Sequence, residues 1–351
     1  MQEMIKEARK ELLKYPKRGV FYYVKRLVKM LVGRSVEPLD KINWPNGLLA
    51  KGLMDYYLLN PESEDAKDVL ETLKKYYKRW IRKRCKMYYL DDAFSGIALI
   101  DMHRITGEER YKKAADAIAN YLFHHEMDMA GNLPYRPKQK NNYIFADSIG
   151  MICPFLSKYG YTYGNNNAIS LAVTQIQNYV EFGMDAKTGL PYHGYHYESG
   201  VKYGVIGWGR AVGWLMFGMS ETLTYLNENR PEYEYIKQAY RRLVDKVEAY
   251  QLEGGLYSWQ LEAKEGPVDT SATAMILYSI AQSLNNKILI GIHKSRMVRG
   301  RDALLSSVKN GKIHGCLAEC LGFSMYPQVY GAYPWSLGPA ISLFVASEEY
   351  H

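Results

Sequence analysis

Apolar residues recur at three- and four-residue spacing along most of the chain, and alternating apolar and polar stretches of useful length are scarce. That pattern predicts an almost entirely helical protein. Helices are expected near 4–14, 19–33, 46–59, 65–84, 92–105, 109–124, 146–159, 165–182, 210–228, 231–250, 270–284, 295–309 and 337–350. Their character alternates. Segments 64–84, 108–124 and 231–251 carry charge on one face, acidic residues early and basic residues late, as suits outer helices with favourable dipole ends. Segments 93–105, 148–156, 211–226, 271–284 and 337–346 are nearly free of charge and rich in Gly, Ala, Ser and Met. Such helices must be enclosed on most sides. About six outer and inner pairs describe an all-α (α/α)6 barrel, an inner ring of helices within an outer ring.

The polar and aromatic exceptions to this pattern fall in register. Asp91 and Asp92, Asp147, Trp208 with Arg210, Asp269, and Trp335 each stand at the start of a charge-poor segment. Inner helices of such a ring all begin at the same end, so these residues should converge on one mouth of the barrel, where a site is expected.

Composition narrows the function classes. The 351 residues are 47% hydrophobic and 23% charged, enough apolar material for a large core. Residues 1–40 hold ten Lys/Arg against five Asp/Glu, so they supply +5 of the formal charge of +8. The remainder has no basic stripe, and no nucleic-acid partner is expected. No spacer divides the rest, so the organisation expected is a basic N-terminal helical extension, 1–38, and a barrel domain, 39–351. The apolar run 20–32 is broken by Lys25, Arg26 and Lys29 and so provides neither a secretory core nor a membrane span. It reads as a helix packed on the main domain, and its basic amphipathic pattern also suits weak association with a membrane surface without stable insertion. A cytoplasmic protein follows, and the four cysteines fit a reducing compartment.

Thirty-two tyrosines and six tryptophans suit a sugar cleft or an aromatic core equally. The two carboxylates in Leu90-Asp91-Asp92-Ala93 either cap a helix or face the mouth. Asp147 lies within Tyr143-Ile144-Phe145-Ala146-Asp147-Ser148-Ile149, where apolar neighbours would raise a carboxyl toward the range of a general acid. Arg210 stands between Trp208 and Trp214, sharing a helix face with Trp214 at i and i+4. A guanidinium beside rings can clamp a carboxylate while a ring supports a sugar. His193 and His196 lie in a polar, aromatic loop. His314, Cys316 and Cys320 are soft ligands without an obvious fourth, and no metal is expected. Phosphate-loop, serine-hydrolase and zincin signatures are absent from the sequence.

Together these motifs resemble the unsaturated glucuronyl and rhamnogalacturonyl hydrolases, glycoside hydrolase families 88 and 105. The matching series runs through Asn43-Trp44-Pro45-Asn46-Gly47, Asp91-Asp92 to Gly96, Asp147 to Leu156, Tyr192-His193-Gly194-Tyr195, Trp208-Gly209-Arg210 to Trp214, Ser258-Trp259-Gln260, Asp269 to Met275, and the closing segment from Gly331 to Glu348. The resemblance implies a barrel of the six-hairpin glycosidase type and no cofactor. It also implies a substrate, short oligosaccharides with a 4,5-unsaturated uronic acid at the non-reducing end, hydrolysed by hydration of the vinyl ether. Asp147 matches the acid/base, Asp91 the second essential aspartate, and Trp44, Asp92, His193, Trp208, Arg210 and Trp214 the sugar pocket. The chain departs from the family pattern where Ala211-Val212-Gly213 follows Arg210 and where Gly150 replaces a bulky Phe. The alternative is a non-hydrating relative that binds or processes a bacterial exopolysaccharide at the membrane surface.

Overall fold

The structure, a computed structural model, describes all residues except 15–18, 34–35, 37–41, 136–141, 322–323 and 351. Helices are numbered in chain order. Six form a closed inner ring, α3 (Trp44–Leu59), α5 (Gly96–Thr106), α7 (Ala146–Tyr163), α9 (Gly209–Tyr225), α11 (Thr270–Asn285) and α13 (Pro334–Ala346), each packed on the next and α13 on α3. Around them stand α4 (Glu64–Arg82), α6 (Glu109–Phe123), α8 (Asn166–Phe182), α10 (Pro231–Glu248) and α12 (Lys294–Leu305), each against the inner helix that precedes it. The sixth outer place is taken by α1 (Gln2–Leu12), which buries Met4, Ile5, Ala8 and Leu12 against α3, α4 and α13. The basic extension expected over 1–38 holds α1 and α2 (Val20–Leu31), but the two helices differ. α1 closes the outer ring, whereas α2 buries none of its residues.

Local chemistry fixes these elements. Asn43, Ser63 and Asn165 accept backbone N–H bonds at the starts of α3, α4 and α8, satisfying donors that a helix leaves open. Gly107 and Gly164 end α5 and α7 in the left-handed conformation, which glycine adopts without a Cβ clash. On α4, Glu64 and Asp65 begin the helix and Arg79 and Arg82 end it, complementing the dipole, while Val69, Leu73, Tyr77 and Trp80 form its buried stripe.

The inner ring closes because small residues let backbones touch. A Cβ added at Gly338 of α13 would stand 2.5 Å from the Leu48 carbonyl, and one at Gly52 of α3 would stand 2.5 Å from the Gly338 carbonyl oxygen. At the far end the inner helices are not charge-free. Lys51 is 2.8 Å from Asp55 and 2.7 Å from the Tyr278 hydroxyl, Tyr278 donates to Glu221, and Lys158 pairs with Asp101. These buried charges are paired, as burial requires, and the cations complement the helix C-termini gathered there. Among the described residues no helix is long and apolar enough to cross a membrane.

Gly338→Ala should cost about 2–3 kcal/mol, because the clash is with backbone rather than with a yielding side chain. Urea unfolding should show a lower midpoint at unchanged slope. Stability within about 0.5 kcal/mol of the unsubstituted protein would contradict this account of the closure.

Candidate active site

The starts of the inner helices meet at one end around a cavity of about 260 Å³. Trp44, Asp91, Asp147, His193, Trp208 and Arg210, six of the residues singled out in the sequence, line it. Asp92 and Trp214 do not. Asp92 turns back to accept the Tyr89 backbone N–H, capping the turn Leu90–Ser95 that leads into α5. Trp214 is fully buried, its ring packed against Trp44 and Phe94, and Gly150 leaves room for it on α7. An added Cβ at Gly150 would meet the Trp214 ring at 2.6 Å. The small residue at this departure from the family pattern is therefore what lets α7 and α9 pack around the indole.

Asp91 sits in that turn and is 8% exposed. Burial, reinforced by the charges of Asp92 and Asp147, pushes its carboxyl up to about 8, while a hydrogen bond from Tyr135 pulls the other way. At neutral pH it holds a proton. Its Oδ1 has no hydrogen-bond partner among the described residues.

Asp147 is the second residue of α7 and retains a fifth of its side-chain exposure. Strand β1 (Ile144–Phe145) pairs antiparallel with β2 (Gly194–Tyr195), and the Ala146 N–H donates to the His193 carbonyl at 3.0 Å. This short ladder fixes aspartate against histidine. His193 Nε2 lies 3.2 Å from Asp147 Oδ2, a close pair without hydrogen-bond alignment, so that oxygen remains unbonded among the described residues. The other ring nitrogen, Nδ1, is 2.9 Å from the Tyr326 hydroxyl. Trp208 and Phe145 pack against the imidazole at 4.6 and 5.0 Å. The histidine is thereby held on both sides.

Arg210 begins α9 and is 2% exposed. Its guanidinium stacks over Trp208 at 4.8 Å and donates to the Leu317 and Ala318 carbonyls at 2.9 and 2.8 Å. Asp269, the N-cap of α11, accepts the Leu317 N–H, and the Trp335 indole donates to the Leu317 carbonyl. Three inner helices thus grip one segment. It carries Glu319 and Cys320 to the cavity wall. Cys320 figures in the sequence only as a soft ligand, and Glu319, Tyr135, Phe145, Ser148 and Met151 line the cavity beyond the residues expected from the sequence. Met151 follows Asp147 at i+4 and could have been found from helical spacing, whereas Ser148, at i+1, and Tyr135, Glu319 and Cys320, from irregular segments, give no such signal.

The cavity therefore offers a protonated carboxyl, a second carboxyl facing an imidazole, a third from Glu319 on its wall, and one guanidinium. Ser148 Oγ and Trp208 Nε1 are further buried polar atoms without hydrogen-bond partners among the described residues. Unpaired donors and acceptors around a cavity are costly unless a polar ligand completes them. No group of three or more His, Cys, Asp or Glu residues able to hold a metal occurs among the described residues.

A raised carboxyl opposes folding at neutral pH. Because the folded value of Asp91 lies above its unfolded one, its favourable contribution is complete only below the unfolded value and is lost as pH rises toward 8. Asp91→Asn should therefore stabilise the protein by about 4 kcal/mol at pH 7. The gain should vanish near the ordinary carboxylate range in thermal unfolding. A gain independent of pH would show that Asp91 is not the raised group.

Comparison with known proteins places this geometry. The profile of Glycosyl Hydrolase Family 88 matches residues 22–348. The unsaturated rhamnogalacturonyl hydrolase YesR of Bacillus subtilis (strain 168) is 21% identical over 265 residues, 74% of this chain and 76% of that protein. The fold is shared with a possible member of the GH105 family from Salmonella enterica (TM-score 0.84, 16% identity, 100% of this chain and 94% of that one). It is shared also with the unsaturated glucuronyl hydrolase of Bacillus sp. GL1 (TM-score 0.70, 14% identity, 88% and 87%). A match over nearly the whole chain settles the class: the protein belongs to Glycosyl Hydrolase Family 88 and is a glycosidase with an (α/α)6-barrel fold.

Proposed function

We propose that the protein hydrates the 4,5 double bond of an unsaturated uronic acid at the non-reducing end of a short oligosaccharide and so releases the remaining sugar. The observation that carries this reading is the pairing, in one cavity, of a carboxyl lifted to about 8 with a second carboxyl held against an imidazole. The names of the relatives, unsaturated rhamnogalacturonyl and glucuronyl hydrolases, support the substrate class.

In the reacting form Asp147 carries a proton taken up from solvent and gives it to C4, which leaves positive charge at C5 shared with the ring oxygen. Water adds to C5 and returns a proton to Asp147, so the group is regenerated and one water is consumed. The resulting hemiketal opens to a C5 ketone, and the hemiacetal at C1 expels the aglycone as its alcohol. His193 positions Asp147. Asp91, protonated at neutral pH, donates a hydrogen bond to the sugar without adding a negative charge opposite the substrate's carboxylate, and Arg210 takes that carboxylate. Trp44 and Trp208 supply apolar walls for the sugar faces. Asp92 and Trp214 act behind this layer, holding the turn of Asp91 and the ring of Trp44. No cofactor enters these steps. Four free cysteines support a cytoplasmic setting. The non-hydrating exopolysaccharide relative is not favoured, since both aspartates stand in the cavity and the relatives described above are named hydrolases.

Hydration destroys the conjugated chromophore, so ultraviolet absorbance of lyase-generated disaccharides should fall on adding the protein. Asp147→Asn should lower kcat/KM by about 10³-fold or more without loss of folding. Full activity in that variant would sink the reading. Because Asp91 must carry its proton, activity should hold below about pH 8 and decline above it. Asp91→Asn should lack that alkaline decline while keeping residual turnover.

A further inference from the structure

α2 is built inside out. At 100° per residue Val20, Val24, Leu27, Val28 and Leu31 fall on one side of the helix, and Tyr22, Lys25, Arg26 and Lys29 on the other. An outer helix of a globular domain turns the apolar side inward, as α1 does with Met4, Ile5, Ala8 and Leu12. Here Tyr22 and Arg26, both half-buried, turn toward the barrel, and with the exposed Lys25 and Lys29 they border a cavity of about 250 Å³ beside Tyr88 and Tyr89. The apolar side faces outward. Val20 and Phe21 are each 79% exposed, Leu31 77%, and Val24, Leu27, Val28 and Met30 are each more than half exposed. A contiguous apolar face of this kind on a soluble surface marks an interaction site.

The charges decide what covers it. Residues 19–33 contain three cations and no acidic residue. Lys25 and Lys29 are both exposed, and their long basic side chains can reach headgroups while the apolar residues enter the acyl boundary. A second copy seated face to face would bring two cationic rims together with no acidic side chain on either helix to offset them. An anionic lipid surface supplies both the apolar depth and the counter-charge. Twelve residues make a helix of about 18 Å, too short to span a bilayer core of about 30 Å, so the helix lies in the plane of the surface.

We propose that α2 is an in-plane anchor that seats the barrel on an anionic membrane surface. The anchor adjoins the mouth of the active site. Its neighbour Tyr89 stacks on Tyr135 at 6.3 Å, and Tyr135 lines the central cavity. Docking therefore holds the cavity beside the bilayer, where it meets oligosaccharides delivered across or released at that surface.

The test is flotation of the full-length protein at low salt with vesicles of phosphatidylcholine alone or mixed one to one with phosphatidylglycerol. The two exposed cations, Lys25 and Lys29, each worth about fivefold near such a surface, predict on the order of a twentyfold preference for the anionic vesicles, diminished by salt. Val24→Glu/Leu27→Glu should abolish flotation, and Lys25→Glu/Lys29→Glu should remove the preference, with helical circular dichroism unchanged in both because all four side chains are exposed. Flotation that is absent, or equal for the two vesicle types, overturns the proposal. So does a dimer in solution that Val24→Glu/Leu27→Glu converts to monomer without any flotation, which would assign the face to a second copy.

Discussion

A carboxyl taken out of water beside two others is the constraint on which the site depends. Asp91 can be buried at the barrel mouth because the proton it keeps removes the charge that burial would penalise. It stays lifted because Asp92 and Asp147 are held close by elements that cannot move apart. Asp92 is bound into the turn Leu90–Ser95, and Asp147 is fixed at the start of α7 by a two-residue strand pair. Six inner helices direct their N-termini to this end, and their partial positive charge moderates the crowding of carboxylates there. The chemistry is thus a consequence of the ring, and the ring of small residues such as Gly52 and Gly338, where backbones meet.

The same arrangement explains an uneven distribution of stability. At the far end, Lys51, Asp101, Lys158 and Glu221 are buried in pairs and leave no charge uncompensated. At the mouth, Asp91 Oδ1, Asp147 Oδ2, Ser148 Oγ and Trp208 Nε1 are buried without partners among the described residues. At the far end the buried charges are paired around a second cavity of about 340 Å³, whereas the mouth keeps several polar groups unsatisfied for a ligand. Stability forgone at a site and supplied elsewhere is the usual signature of function.

Much of the architecture could be inferred from the chain because inner and outer helices differ in composition, and the difference follows directly from their surroundings. Asp147, Trp208 and Arg210 could be assigned to one mouth because each begins a charge-poor segment. Other features depend on assembly. Trp214 shares a helix face with Arg210 by spacing, yet the gap at Gly150 draws its ring behind the cavity wall. α1 carries Lys6, Arg9 and Lys10 and looked like part of a basic extension, although its stripe of Met4, Ile5, Ala8 and Leu12 is that of an outer helix. Apolar neighbours in sequence drew attention to Asp147 as the carboxyl to be raised. The lift of Asp91 arises first from its burial and then from the charges of Asp92 and Asp147, and only the folded ring brings these together.

The most direct test of this account is the titration of the aspartate side chains by carbon-13 NMR of the carboxyl resonances, with Asp91→Asn used to assign the signal. One aspartate should retain its proton through neutral pH and titrate near 8, and its resonance should vanish in the variant. If the Asp91 resonance instead titrates in the ordinary carboxylate range, the site holds no proton reserve at neutral pH. The account of how the barrel mouth performs its chemistry would then be wrong.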